Sequence, residues 1–110
     1  FYIGSNGKLS EYNFSKKSLP YIFGSPENND FLNLKKKIDK SRFSYDQIKS
    51  FYFYPSGRWD VELKNNILIK LPKNEIIDAL HHAFEFIKNN NTGDSITIDL
   101  RVKNQIILND

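Results

Sequence analysis

His81 and His82 are the first candidates for chemistry in this chain, because imidazole is a common metal ligand and general base. Adjacent residues on a helix point about 100° apart and do not share a face. The sequence has no third His and no Cys to complete a metal set, so the pair reads as surface histidines. Asp99 and Arg101 flank Leu100. On a strand that spacing points both to one face. No second acid or base stands beside them in any motif, so they read as structural ion-pair residues. No Ser has a paired His in a context that would activate a nucleophile. Gly4 and Gly7 lack the G-x-G-x-x-G spacing of a phosphate loop. The run Phe51-Tyr52-Phe53-Tyr54 has the rings of a base-stacking platform. No basic residue interleaves with them, and alternating Phe and Tyr is also the pattern of a half-buried strand. The residue types therefore predict no catalytic residue, no metal and no cofactor.

The elements that would carry these residues are legible in the pattern. Phe1-Tyr2-Ile3, Ser5-Asn6-Gly7 and Lys8-Leu9 read as a tight hairpin, since Asn-Gly supplies positive φ. Leu19-Pro20 leads into a short strand, Tyr21–Phe23, which Gly24-Ser25-Pro26 ends. A helix is expected from Asp30 to Lys40, capped by Asn29 or Asp30, with Phe31, Leu34 and Ile38 inward and Lys35, Lys36 and Lys37 mostly outward. Ile48 to Tyr54 and Arg58 to Leu63 read as strands joined at Pro55-Ser56-Gly57. Trp59, Val61 and Leu63 share one face of the second, with Asp60 and Glu62 on the other. Lys64-Asn65-Asn66 turns the chain into a partner strand carrying Ile67, Ile69 and Leu71. A second helix, Glu75 to Lys88, has the stripe Ile76, Leu80, Ala83, Phe84 and Ile87. Asn89 to Gly93 stops it. Two last strands, Ser95 to Val102 and Gln105 to Leu108, follow around Lys103-Asn104. The fold class predicted is α+β: a largely antiparallel sheet with two amphipathic helices packed against it.

The chain has 110 residues, enough for one domain with its own core. Hydrophobic residues at 39% and charged residues at 26% exclude a disordered chain. Sixteen Lys and Arg against 13 Asp and Glu give a net charge of +3, too mild and dispersed for a nucleic-acid footprint. The absence of cysteine excludes disulfides and thiolate chemistry. Met is absent and the chain opens Phe1-Tyr2-Ile3, so a fragment or processed chain is expected, with any membrane anchor outside it. The sequons Asn13-Phe14-Ser15 and Asn90-Asn91-Thr92 read as chance in an Asn-rich chain.

Several segments together resemble the FtsQ/DivIB family of bacterial cell-division proteins. Arg58 to Pro72 is similar to the family's arginine-tryptophan hairpin, with its Asn-rich turn and Leu-Pro ending. Ile98-Asp99-Leu100-Arg101 matches its "IDLR" signature. Asn6-Gly7 and Leu19 to Gly24 are weaker matches in the same order. Gly4 stands where the family often has an acidic residue, and Asn65-Asn66 where it often has Asn-Gly. Arg58, Trp59, Asp99 and Arg101 are thereby marked as structural motif residues. The resemblance implies that residues 1–110 form one extracytoplasmic β domain, following a POTRA domain and a single membrane span that lie outside this chain. It implies a place on the periplasmic face of the bacterial inner membrane. It also implies a non-catalytic role in assembling the division machinery by binding FtsB and, through it, FtsL.

In the family the FtsB segment extends the sheet along the last strand. The partner-binding residues expected here are Val102, Lys103, Asn104, Gln105, Ile106, Ile107 and Leu108. The residues themselves suit an edge strand, which offers unpaired N–H and C=O groups to another chain. Ile106, Ile107 and Leu108 are consecutive, so at least one must point away from the core. Two other functions compete: a generic ligand- or nucleic-acid-binding α+β domain, and a small hydrolase. Neither accounts for the Arg-Trp hairpin followed by "IDLR".

Overall fold

The two helices form where apolar residues recur at helical spacing. In the structure, a computed structural model, residues 1–4, 8–10, 19–90, 95–102 and 105–109 are described. Helix α1 (Asn28–Lys40) buries Phe31, Leu34 and Ile38, as expected. It starts ahead of Asp30 because Glu27 is the N-cap, and the Glu27 N–H donates to the Asp30 carboxylate at 3.0 Å. Lys36 faces solvent, but Lys35 does not. Its ammonium pairs with Asp39 at 2.7 Å and lies 5.1 Å from the centre of the Tyr45 ring. Helix α2 (Ile76–Asn89) buries Ile76, Ala79, Leu80 and Ala83, while Phe84 and Ile87 are half-buried.

Among the described residues eight strands form one sheet: β1 (Tyr2–Ile3), β2 (Leu9–Ser10), β3 (Tyr21–Phe23), β4 (Ile48–Phe53), β5 (Trp59–Leu63), β6 (Ile67–Lys70), β7 (Ile96–Asp99) and β8 (Ile107–Asn109). Their spatial order is β2-β1-β3-β4-β5-β6-β7-β8. The opening hairpin pairs as expected, with Ile3 opposite Leu9. Its turn at Ser5-Asn6-Gly7 lies outside the described residues, as do Asn13-Phe14-Ser15, Asn91 to Gly93 and Lys103-Asn104. The last strands are shorter than predicted. β7 ends at Asp99, before Val102, and β8 begins at Ile107 rather than Gln105.

The α+β class holds, but the sheet is mixed rather than largely antiparallel. β3 runs parallel to β4, and β6 parallel to β7. Each parallel pair is joined by a helix. A helical crossover returns the chain to the same end of the sheet, so the second strand runs parallel to the first, whereas a hairpin reverses it. β3, β4 and β6 point the same way, and both crossovers step in the same direction across the sheet. Right-handed connections then place both helices on one face. They meet there: Phe43, just after α1, packs on Phe84 with ring centroids 5.3 Å apart, and Arg42 pairs with Glu85 at 2.7 Å.

The core lies between that face and the helices. Ile22, Phe51, Val61, Ile69 and Ile98 are successive cross-strand partners, and all are buried. Trp59, Val61 and Leu63 share this face as their alternation predicts. Among the described residues no helix covers the opposite face. There the row reads Phe23, Tyr52, Asp60, Lys70, Asp99. Asp60 is nonetheless buried, because Arg58 and Tyr54 cover its carboxylate. Asn66 and Gly24 are among the residues with left-handed backbone. Asn66 has φ of 65° at the β5–β6 hairpin, where an Asn was expected to tolerate it. Gly24 has φ of 102°, and a Cβ there would lie 2.3 Å from the Phe53 carbonyl oxygen.

Candidate partner-binding edge

Strand β8 closes the sheet on one side, and its backbone orientation follows from its neighbours. The Ile96 N–H donates to the Asn66 carbonyl at 3.4 Å and the Leu100 N–H to the Lys70 carbonyl at 2.9 Å. Peptide groups alternate in direction along a strand, so residues 96, 98 and 100 bond towards β6. Thr97 and Asp99 therefore face β8. Their partners are Asn109 and Ile107. Leu108, between those two, turns its N–H and C=O out of the sheet. Its side chain, opposite Ile98, lies on the helical face, and that of Ile107, opposite Asp99, on the open face. Both are exposed, at 47% and 39%. Ile106 and Val102 are exposed as well, so more apolar surface reaches solvent than the single side chain required by strand alternation.

Beside this edge, at the carboxyl ends of the parallel strands β6 and β7, opens a cleft of about 680 Å³. One wall is the segment Pro72 to Glu75 with the first turns of α2, and the other is Leu100 to Val102 with Gln105 and Ile106. Leu100, Val102, Ile106 and Ala79 make its apolar lining, with Lys73 and Arg101 as its cations. Of the residues expected to bind a partner, Val102, Gln105 and Ile106 line the cleft, and Ile107 and Leu108 form the adjacent strand. Lys103 and Asn104 fall outside the described residues. Pro72, Lys73 and Ala79 were not anticipated from the sequence. Their only signal was the Leu71-Pro72 break that ends one strand ahead of an amphipathic helix.

The motif residues surround this end of the sheet. Asp99 accepts three bonds from the Arg101 guanidinium at 2.6 to 3.1 Å, and one from the Arg101 backbone N–H at 3.0 Å. Arg101 holds the Asp99 carboxyl below its ordinary range, against an opposing push from partial burial, and Asp99 raises Arg101 in turn. The spacing that puts both on one face thus pairs them with each other, and Arg101 is also among the residues lining the cleft. Arg58 pairs with Asp60 and also donates to the Leu71 carbonyl at 3.0 Å. The second Asp60 oxygen accepts the Tyr54 hydroxyl at 2.9 Å. Tyr54 is raised by burial first and by Asp60 second, and Tyr52, burial first and Glu62 next, is pushed up to about 12. Asp60, Lys70 and Asp99 are neighbours in one row, so the two motifs join across the open face. Trp59 is buried under Phe31, Phe51 and Phe53, its ring centroid 4.7 Å from that of Phe53. His81 and His82 are exposed on α2, and His82 reaches the cleft rim. Among the described residues no three His, Cys, Asp or Glu side chains gather as metal ligands. No helix among them is long and apolar enough to cross a membrane.

A sequence model of the C-terminal region of the cell division proteins FtsQ and DivIB matches residues 1–101. The chain belongs to that family. No curated protein matches it. The family match spans β1 to β7, both helices and both motifs, and ends at Arg101. The family's role is in cell division, and the FtsQ/DivIB domain is a part of the scaffold of that machinery. The edge strand β8 follows the matched stretch.

Proposed function

We propose that the chain is a non-catalytic scaffold domain of bacterial cell division that binds FtsB, and FtsL through it, by taking a strand of FtsB onto the β8 edge. The observation that carries this reading is the outward-facing backbone of Leu108, set among exposed apolar side chains beside an open cleft. Backbone pairing supplies affinity, and side chains of the added strand that alternate into the cleft supply selectivity. Residues 1–110 act as one domain, on the periplasmic face of the inner membrane, tethered through a POTRA domain and a membrane span outside this chain.

The test is titration with the periplasmic segment of FtsB. Proline lacks an N–H. Leu108→Pro removes an outward donor and is expected to abolish measurable binding with the fold retained, as edges tolerate proline. Ile107→Pro removes a donor directed at β7 and is expected to lower stability as well. A folded Leu108→Pro protein that binds as tightly as the parent sinks the reading.

A further inference from the structure

We infer that Arg58 is a positioning residue for the cleft, holding its Pro72–Glu75 wall in register although it does not line the cleft itself. The inference rests on the partner-binding reading of that cleft. Leu71 is completely buried and is the last residue before the wall. Both of its backbone groups are tied to one short segment. Its N–H donates to the Trp59 carbonyl at 3.2 Å, and its carbonyl accepts from the Arg58 guanidinium at 3.0 Å. β6 ends at Lys70, so the Leu71 carbonyl lies one residue past the strand ladder. A side chain therefore takes over where the sheet stops.

Arg58 is itself held on three sides. Its guanidinium pairs with Asp60, bonds Leu71, and lies 4.7 Å over the Tyr54 ring. Tyr54 in turn donates to the other oxygen of Asp60. The planar guanidinium serves carboxylate, carbonyl and ring at once, which a lysine ammonium on a flexible stem does poorly. The next residue, Pro72, has a fixed φ, so the direction set at Leu71 passes into the wall. The wall ends at Glu75, whose φ of 58° starts α2. On the facing side, Arg101 is tied to Asp99 at the end of β7. Arg58 and Asp99 thus each anchor one side of the same opening, and this accounts for two motifs far apart in sequence that meet at one end of the sheet.

The experiment compares the parent chain with the double variant Arg58→Met/Asp60→Asn, which removes the donor to Leu71 without leaving a buried charge, and with Arg58→Lys. Amide hydrogen exchange at Leu71 and Ala79, whose N–H groups donate to the Trp59 and Glu75 carbonyls on either side of the wall, is read by NMR in the free protein, and affinity by titration with the FtsB periplasmic segment. Loss of a charge-assisted bond is expected to speed exchange at those amides about tenfold and to weaken binding about tenfold, with Arg58→Lys in between. Leu63→Ala, at the far end of β5, serves as a destabilised control and is expected to leave both readouts local to the wall unchanged. Folded double-variant protein with exchange and affinity within about twofold of the parent overturns the inference, given the size of the bond removed. So does a control that moves both readouts equally. If the parent fails to bind the segment, the partner reading fails, and the exchange data still decide the role of Arg58.

Discussion

Leu108 and Ile69 stand in the same cross-sheet row, two strands apart, and have opposite fates. Phe51, Val61, Ile69 and Ile98 in that row are between 0 and 2% exposed, whereas Leu108 is 47% exposed. All are apolar and all point to the helical face. What differs is cover. α2 crosses from β6 to β7, and the sheet continues one strand beyond it. Burying a side chain the size of leucine is worth about 1.5–3 kcal/mol, so a row that carries leucine past its own cover has apolar surface left for a second molecule. The centre of the sheet holds the fold, and the β8 end carries the interface proposed above.

The largest expected effect lies at the centre. Trp59→Ala empties a site packed by Phe31, Phe51 and Phe53. It should cost about 3–5 kcal/mol in denaturant unfolding, as for other large buried aromatics. An unchanged melting temperature would break the contrast by showing that the centre does not hold the fold. At the edge the same kind of truncation should do little to stability. Leu108→Ala is expected to stay within about 1 kcal/mol of the parent, as exposed substitutions do, while lowering affinity for the FtsB segment. Loss of stability comparable to that of Trp59→Ala would show Leu108 to be core.

A smaller effect sits between the two regions, at Asp99. Its carboxyl is held below the ordinary carboxylate range by Arg101, so the folded state favours its charged form. The sign follows: the contribution is present above the unfolded pKa of about 3.9 and is lost as pH falls through the lower folded value. Asp99→Asn should therefore lower the melting temperature near neutral pH, and the gap from the parent should close as pH is taken below 3.9, about the unfolded value. A gap that is constant with pH would assign the loss to packing rather than charge.

Much of this was legible in sequence. Period-2 alternation put Trp59, Val61 and Leu63 inward, and the helical stripes gave Phe31, Leu34, Ile38, Leu80 and Ala83. Those are local patterns set by backbone periodicity. The parallel pairings were missed because strand direction depends on what connects the strands rather than on composition. The cleft was missed because its walls come from residues around Pro72 to Ala79 and from Leu100 to Val102 with Gln105 and Ile106, which the β6–β7 pairing brings together. The Asp99–Arg101 spacing announced a shared face but not that each was the other's partner. Lys35 was expected outward, yet Asp39 and Tyr45 hold it.

The most direct measurement is amide hydrogen exchange along β8 with and without the FtsB periplasmic segment. The Ile107 amide already faces β7 and the Leu108 amide faces outward. Strand addition at this edge predicts that saturating FtsB segment slows exchange at Leu108 by at least about tenfold, as a new backbone hydrogen bond requires, with a smaller change at Ile107. Binding that leaves Leu108 exchange unchanged would contradict it and move the interface off the edge.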